Sequence, residues 1–250
     1  MSCTITFIRH ALSCNNARRK LRQQCGVNMD ARMDINPNLT GFGRRAAGEV
    51  GKSPGVWQDA DLVLASPLHR AIETALGVFP DKDIVLAPYV AENHTPDLRL
   101  SASDVAARVR RRYGEAAARR IRTTAQYTDS NLPPEMFQSN FGNFIQWLLL
   151  TVRVLPERVA VVSHADYMLY ILSMLSAQHI PGAAEATRVL RSNPQLGWTN
   201  MFAVSIVVQP ALNPPMKVTL QSEGIISEGT CDDTLADVTS CDPDWEQRYG

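Results

Sequence analysis

The sequence predicts an α/β protein of three layers, α/β/α, with a mainly parallel central sheet. Short apolar, β-prone runs alternate with longer helix-like stretches, a pattern typical of parallel sheets covered by helices on both faces. Three of these runs lead directly into histidine and arginine residues, namely Arg9-His10, His69-Arg70 and Ser163-His164. The carboxyl ends of parallel strands share one edge of a sheet, where open α/β sheets bind ligands. We therefore expect these side chains to meet in one site.

The strands and helices are predicted from apolar runs and from helical periodicity. Strand-like runs occur at residues 4–8, 61–65, 84–87, 159–163, 202–208 and 217–220. Helix-like stretches occur at residues 43–52, 69–79, 101–124, 140–155 and 167–177. A proline-containing connection joins the last two strands, and proline is tolerated at the edge of a sheet. These two strands are therefore predicted to form an added hairpin or meander at one edge.

The 250 residues are predicted to form a single domain with two additions. Residues 92–155 contain no convincing strand, and we expect a helical insertion over the C-terminal edge of the sheet. Residues 222–250 are predicted to be an acidic tail, with eight acidic residues against the single basic Arg248. Because the whole chain has zero net charge, the residues before this tail carry +7. A basic body with an acidic tail suits anionic ligands.

Composition excludes several classes of partner. The apolar runs are too short for a membrane span or a signal peptide, so no membrane partner is expected. Few aromatic residues accompany the basic clusters, so no nucleic-acid partner is expected.

The five cysteines show no zinc-binding spacing, and we expect no metal and no cofactor. Free thiols in a reducing compartment, and so a cytoplasmic location, are the expectation.

The histidines and arginines at the predicted sheet edge suit a phosphate pocket. His10 and His164 each follow an apolar run and precede an alanine, whose small side chain lets phosphate approach the backbone. Neutral imidazole is a competent nucleophile because its ordinary pKa is about 6.5. A nearby arginine favours that neutral form and binds phosphate oxygens in pairs. Arg70 falls in the first turn of a predicted helix, where free backbone amides also favour anions.

Four motifs resemble those of the histidine phosphatase superfamily. Residues 9–16, Arg-His-Ala-Leu-Ser-Cys-Asn-Asn, resemble its signature Arg-His-Gly-x-Ser-x-x-Asn. Residues 38–43 are similar to its Leu-Thr-x-x-Gly element, and residues 66–75 match its Ser-x-Leu-x-Arg-Ala-x-x-Thr-Ala element. Residues 161–165 resemble its second histidine motif. The order and spacing of the motifs agree over about residues 4–208, and the chain looks like the phosphoglycerate mutase-like branch.

The resemblance implies a role for each matching residue. His10 would be the nucleophile that forms a phosphohistidine. The implied phosphate pocket is completed by Arg9, Arg70 and His164, with Ser13 and Asn16 as accessory contacts. Glu92, after the strand at residues 84–87, would be the general acid, and partial burial that raised its pKa would help it to donate a proton. His94 and Asp97 are nearby alternatives for that role.

Two positions depart from the family pattern, since Ala11 and Ala165 stand where the family has glycine. A backbone with positive φ would make each alanine cost about 1 kcal/mol or more and would shift the catalytic histidine. With an ordinary backbone, the added methyl group of each alanine would only narrow the pocket. The same replacement at both positions favours the second interpretation.

Three hypotheses for function follow. The first is a phosphatase that acts on a small phosphorylated metabolite or a phosphopeptide. The second is a phosphoglycerate mutase-type transferase, which would need a closed, arginine-lined insertion to exclude water and to hold two anionic groups. The third is a non-catalytic protein that binds phosphate or phosphoproteins, supported only by the two alanines. The sequence favours the phosphatase; oligomeric state is left open.

Overall fold

A computed structural model describes most of the chain. The described residues are 2–27, 34, 36–52, 59–92, 101–124, 140–152, 154, 156–192, 201–208, 216–222, 238 and 241.

A seven-stranded mixed sheet forms the centre of the protein, in the order β4-β3-β2-β5-β1-β6-β7. Its strands are β1 Cys3–Arg9, β2 Leu62–Ala65, β3 Ile84–Leu86, β4 Ile121–Arg122, β5 Arg158–Ser163, β6 Ala203–Val208 and β7 Met216–Ser222. The pairs from β4 to β1 are parallel, and β6 and β7 are antiparallel. The predicted edge hairpin is therefore confirmed.

Helices cover both faces of the sheet. They are α1 Cys14–Gln24, α2 Gly41–Lys52, α3 His69–Val78, α4 Ala102–Arg119, α5 Phe141–Thr151, α6 Ala165–Ala177 and α7 Ala183–Ser192. Helices α2, α3 and α4 pack on one face, against alternate strand residues such as Ile8 and Val162. Helices α5, α6 and α7 pack on the other face, against residues such as Phe7 and Val161. Because neighbouring residues of a strand point to opposite faces, one apolar strand feeds both cores. The predicted three layers are confirmed.

The structure corrects three details of the predicted elements. The segment at residues 92–155 was expected to lack strands, yet β4 lies within it and extends the parallel sheet beside β3. A strand of two residues leaves no apolar alternation that a sequence pattern could reveal. Helices α1 and α7 were not predicted. Only two buried residues of α1, Ala17 and Leu21, are apolar and strongly helix-forming. Most other side chains of α1 are charged or amide groups, so its apolar periodicity is weak.

Cys14 and Cys241 form a disulfide, which contradicts the expectation of free thiols. Cys25 is also disulfide-bonded, while Cys3 is a buried free thiol. Near this bond, Val238 packs with Leu12 and α1 in a small apolar cluster. The expected cytoplasmic location rested on free thiols, and disulfides persist mainly in oxidising compartments. That basis for a cytoplasmic location is therefore removed.

No helix in the described part of the chain is both long enough and apolar enough to cross a membrane.

Candidate active site

The carboxyl ends of three neighbouring parallel strands bring the predicted site residues together. β1 ends at Arg9, which pairs with Ser163 at the end of β5, so His10 and His164 follow adjacent strands. β2 lies on the other side of β5 and leads through Ser66 into α3. Three helices, α1, α3 and α6, begin at this edge, so their N-terminal amides and partial positive charge favour an anion there.

The imidazole of His10 is held in one tautomer. Its Nδ1 lies 2.7 Å from the Ala11 carbonyl oxygen, which can only accept a hydrogen bond, so Nδ1 carries the proton. Arg70 donates from Nε to His10 Nε2 at 3.2 Å, which confirms that Nε2 is the acceptor nitrogen. Burial, followed by the charges of Arg70 and Arg9, holds the pKa of His10 well below its usual range. The imidazole is therefore neutral at neutral pH, and its unprotonated Nε2 accepts from Arg70.

Arg70 connects the nucleophile to the expected general acid. It is the second residue of α3, as predicted, and is only 4% exposed. While its Nε contacts His10, its Nη2 forms an ion pair with Glu92 Oε2. One guanidinium thus holds the imidazole and the carboxylate on the same side of the pocket. His94 and Asp97, the alternatives to Glu92, lie outside the described residues.

The segment that carries Glu92 is anchored to the sheet. The hydroxyl of Ser163, the last residue of β5, donates to the Val90 carbonyl at 2.7 Å. Tyr89, just before it, has a φ of 64°, in the left-handed region that non-glycine residues seldom adopt. Its carbonyl accepts from the Asn140 amide, at the start of α5, at 3.1 Å. These contacts fix the chain two residues before Glu92.

His164 lies beside His10, with ring centroids 5.2 Å apart. It is the N-cap residue of α6, and its Nε2 contacts the Ser66 hydroxyl at 2.9 Å. Burial, with smaller contributions from Arg70, His10 and Arg9, holds the pKa of His164 well below its usual range. Two neutral imidazoles therefore share the pocket with the arginines.

Arg9 is buried at the end of β1, with 5% exposure. Its guanidinium carbon lies 5.9 Å from the centre of the Phe202 ring, and its charge lowers the pKa of both His10 and His164. The structure thus brings Arg9, His10, Arg70 and His164 together, as the sequence predicted, with Glu92 on Arg70.

Ser13 and Asn16, the residues expected as accessory phosphate contacts, are hydrogen-bonded to each other. Ser13 is the N-cap of α1, and its hydroxyl accepts from the backbone N–H of Asn16 at 3.3 Å. Such a cap stabilises the first turn of a helix. Ser13 ends the loop that follows His10, Asn16 lies in the first turn of α1, and contact with phosphate stays a prediction for both.

Thr74 is a residue of this site that the sequence analysis did not single out for a role. Its hydroxyl accepts from the buried Ala11 N–H at 2.9 Å and donates to the Arg70 carbonyl at 2.7 Å. This side chain therefore ties the residue after the nucleophile to the helix of Arg70. Thr74 lies within the family motif at residues 66–75. The motif does not reveal the contact with Ala11, because a helical threonine normally hydrogen-bonds only within its own helix.

We expect Thr74→Val to destabilise the fold by about 1–3 kcal/mol, because the isosteric side chain leaves the buried Ala11 amide without an acceptor. Thr74→Ser keeps the hydroxyl and should lose much less. Urea unfolding of the two variants measures the difference. Equal stability of Thr74→Val and wild type would show that the Ala11 amide finds another partner.

Both alanines at family glycine positions have an ordinary backbone. Neither Ala11 nor Ala165 is among the described residues with positive φ. Ala165 is the first residue of α6, and Ala11 is 1% exposed. The favoured interpretation is therefore confirmed, and alanine causes no backbone strain at these positions. By contrast, a Cβ at Gly43 would lie 2.3 Å from the Leu12 carbonyl oxygen, so glycine is needed where α2 meets the loop after His10.

No group of three or more acidic, histidine or cysteine side chains suited to a metal ion occurs within the described ranges. Among the described residues, the charges that act on Arg70 are the carboxylates of Glu92 and Asp166, and the histidines lie beside the cations of Arg9 and Arg70. Phosphoryl transfer needs mainly positioning and charge neutralisation, which guanidinium groups can provide.

Solved structures that match the chain include two phosphatases at low sequence identity. The ecdysone phosphate phosphatase of Bombix mori, in complex with tungstate, is 16% identical; the match covers 91% of this chain and 96% of that chain, with a TM-score of 0.50. A phosphoserine phosphatase of Entamoeba histolytica, in complex with phosphoserine, is 15% identical, with 88% and 95% coverage and a TM-score of 0.43. No curated protein matches the chain.

A family model establishes the relationship. The model of the histidine phosphatase superfamily (branch 1) matches residues 5–189, about three quarters of the chain. The match includes His10, Arg70, Glu92 and His164, the residues that the fold gathers at the sheet edge. The chain therefore belongs to branch 1 of the histidine phosphatase superfamily.

Proposed function

We propose that this protein is a phosphomonoester hydrolase that works through a phosphohistidine on His10. The observation that carries the proposal is the fixed tautomer of His10, whose Nδ1 faces the Ala11 carbonyl while Nε2 faces the guanidinium of Arg70. A buried neutral imidazole is a competent nucleophile once a bound phosphoryl group takes over the Arg70 donor and frees the Nε2 lone pair for attack. The substrate would be a small phosphorylated metabolite or a phosphopeptide.

The reaction would proceed in two steps. His10 Nε2 attacks phosphorus and the bond to the leaving oxygen breaks. Glu92, which takes up a proton from solvent when the substrate draws Arg70 away from it, gives that oxygen its proton. Water then attacks the phosphohistidine, Glu92 takes a proton from the water, and the nitrogen–phosphorus bond breaks to release inorganic phosphate. Arg9, Arg70 and His164 neutralise the charge on the transferring group throughout.

The contacts of α4 favour hydrolysis over mutase-type transfer. A mutase needs cations that hold a second anionic group while the site excludes water. Two arginines of α4, Arg108 and Arg112, instead contact Asn38 and Glu73 of this chain. The non-catalytic alternative loses its main support, because Ala11 and Ala165 do not distort the backbone beside the histidines.

The first test is hydrolysis of p-nitrophenyl phosphate, with EDTA present. We expect the wild type to release nitrophenol and inorganic phosphate in equal amounts. Arg70→Met should lower kcat/KM by about 10²–10³-fold, because it removes a cation that would neutralise the charge on the transferring group. Arg70→Lys should recover only part of this loss, since lysine lacks the paired donors of a guanidinium. A wild type that binds phosphate but turns over no phosphomonoester would contradict the proposal.

The role of Glu92 predicts a dependence on the leaving group. Glu92→Gln should lower kcat/KM by about 10²–10⁴-fold for an alkyl phosphomonoester, whose leaving oxygen needs a proton. The loss should be much smaller for p-nitrophenyl phosphate, whose leaving group departs as an anion. Glu49→Gln, on the exposed side of α2, is a matched control and should change neither rate. Equal losses for the two substrates would exclude Glu92 as the general acid.

A further inference from the structure

Glu73 is a buried carboxylate that the proposed reaction does not use. It lies one helical turn after Arg70 on α3 and is only 6% exposed. A buried charge is costly unless it is paired and hydrogen-bonded. Glu73 has both kinds of partner: Oε2 accepts from the Leu39 N–H at 2.7 Å, and Oε1 lies 3.0 Å from Nε of Arg112. Its two oxygens therefore connect two different segments of the protein.

The first of these segments supports the loop that carries the nucleophile. Leu39 forms an antiparallel bridge with Ser13, and the neighbouring Thr40 N–H donates to the Leu12 carbonyl at 3.0 Å. The Cys14 N–H donates to the Asn38 carbonyl at 2.9 Å. A carboxylate that fixes the Leu39 amide therefore also fixes the loop after His10.

The second segment is α4, which lies in the part of the chain that follows Glu92. Arg112 and Arg108 are one turn apart on this helix, and Arg108 Nη2 donates to Asn38 Oδ1 at 3.3 Å. Both arginines thus reach from α4 to the same place, where α3 meets the Asn38–Leu39 segment. A small cavity lies between the two helices, and its lining includes Glu73, Arg108 and Arg112 beside the apolar Ile72 and Val109, with His69 and Tyr113 completing it.

We propose that Glu73 and Arg112 form a positioning pair that couples α4 to the helix of Arg70 and to the nucleophile loop. The inference rests on the proposed phosphatase function, because activity is its readout. Neither side chain contacts His10 in the structure; both act through Leu39 and through α3. Loss of the pair should therefore change the geometry of the reacting groups more than the affinity for substrate.

The charged groups around Glu73 define what its protonation would do. Arg112 and Tyr113 face it from α4, and Arg44 faces it from α2, with Arg44 Nη1 also donating to the Leu39 carbonyl at 2.9 Å. Burial outweighs these neighbours and raises the pKa of Glu73 above its usual value. When Arg112 is replaced by a neutral residue, Glu73 loses its ion-pair partner, and the charged form of this buried carboxyl is destabilised relative to its neutral form.

The experiment compares Arg112→Met, Arg112→Lys, Glu73→Gln and the double variant Arg112→Met/Glu73→Gln, with p-nitrophenyl phosphate as the substrate. We expect Arg112→Met to lower kcat about tenfold with less than a threefold change in KM. Arg112→Lys should recover part of the loss. The double variant should be more active than Arg112→Met, because no unpaired carboxylate remains buried. For the same reason, Arg112→Met should regain activity relative to wild type as the pH falls and Glu73 takes up a proton.

Melting temperatures separate this coupling from a purely stabilising ion pair. If Arg112→Met melts at a lower temperature but keeps wild-type kcat where it is fully folded, the pair only stabilises the fold and the inference is overturned. Additive losses in the double variant would overturn it as well. A wild type without phosphatase activity would instead count against the proposed function, and that result is seen before any variant is compared.

Discussion

Replacement of His10 by alanine is expected to reduce phosphomonoester hydrolysis to the background rate. His164, the neighbouring imidazole, contacts the Ser66 hydroxyl through Nε2, and we expect it not to replace His10 as the nucleophile. The arginines remain in His10→Ala, so binding of inorganic phosphate should survive. Steady-state rates with p-nitrophenyl phosphate, together with calorimetric titration of phosphate, measure the two effects separately.

The matched control is His179→Asn, which changes an exposed histidine with positive φ to a residue that tolerates that backbone. It should leave the rate unchanged.

The lowered pKa of His10 also predicts how the wild type responds to acid. The imidazole stays neutral as the pH falls past about 6.5, where an ordinary histidine would be half protonated. The pH dependence of kcat/KM, corrected for ionisation of the substrate, measures this. A loss of activity at about pH 6.5 or above that is caused by protonation of His10 would contradict the lowered pKa of this residue.

Removal of the Cys14–Cys241 disulfide is expected to have the largest effect on stability. The bond joins residues 227 positions apart and so restricts the unfolded chain, while the disulfide at Cys25 stays in the variant and keeps part of that restriction. We expect Cys14→Ala/Cys241→Ala to lose about 2–5 kcal/mol of unfolding free energy. For a chain of this size, such a loss lowers the melting temperature by roughly 5–15 °C.

Cys3→Ala is the control, because it removes a buried free thiol and leaves the disulfide intact. It should cost less than the double variant. The bond itself is checked by alkylation of the unfolded, unreduced protein, in which Cys14 and Cys241 should resist iodoacetamide until a dithiol is added. Reaction of both residues without a reductant would mean that the two thiols are not bonded in the protein as isolated.

The parallel strands β1, β2, β3 and β5 and the centre of the site follow from local features of the sequence. Each apolar run is long enough to be recognised, and parallel strands must place their carboxyl ends at one edge. His10, Arg70 and His164 therefore converge without any knowledge of the fold beyond strand direction. Arg70 was also predicted at a helix start, because Ser66-Pro67 precedes it.

The features that were missed depend on contacts between distant residues. The Thr74–Ala11 hydrogen bond spans 63 positions, and the Cys14–Cys241 bond spans 227. Cysteine spacing alone does not determine which thiols come together. Strand β4 has only two residues, so pairing with β3, rather than its own composition, determines its structure.

Trapping of the phosphoenzyme tests the central claim most directly. The wild type is mixed with p-nitrophenyl phosphate, denatured within milliseconds at alkaline pH, where phosphohistidine survives, and digested for mass spectrometry. We predict a phosphoryl group on His10, absent from His10→Ala and lost on brief treatment with acid. Active wild-type enzyme that carries no phosphoryl group on His10, or carries it on another residue, would contradict the proposed mechanism.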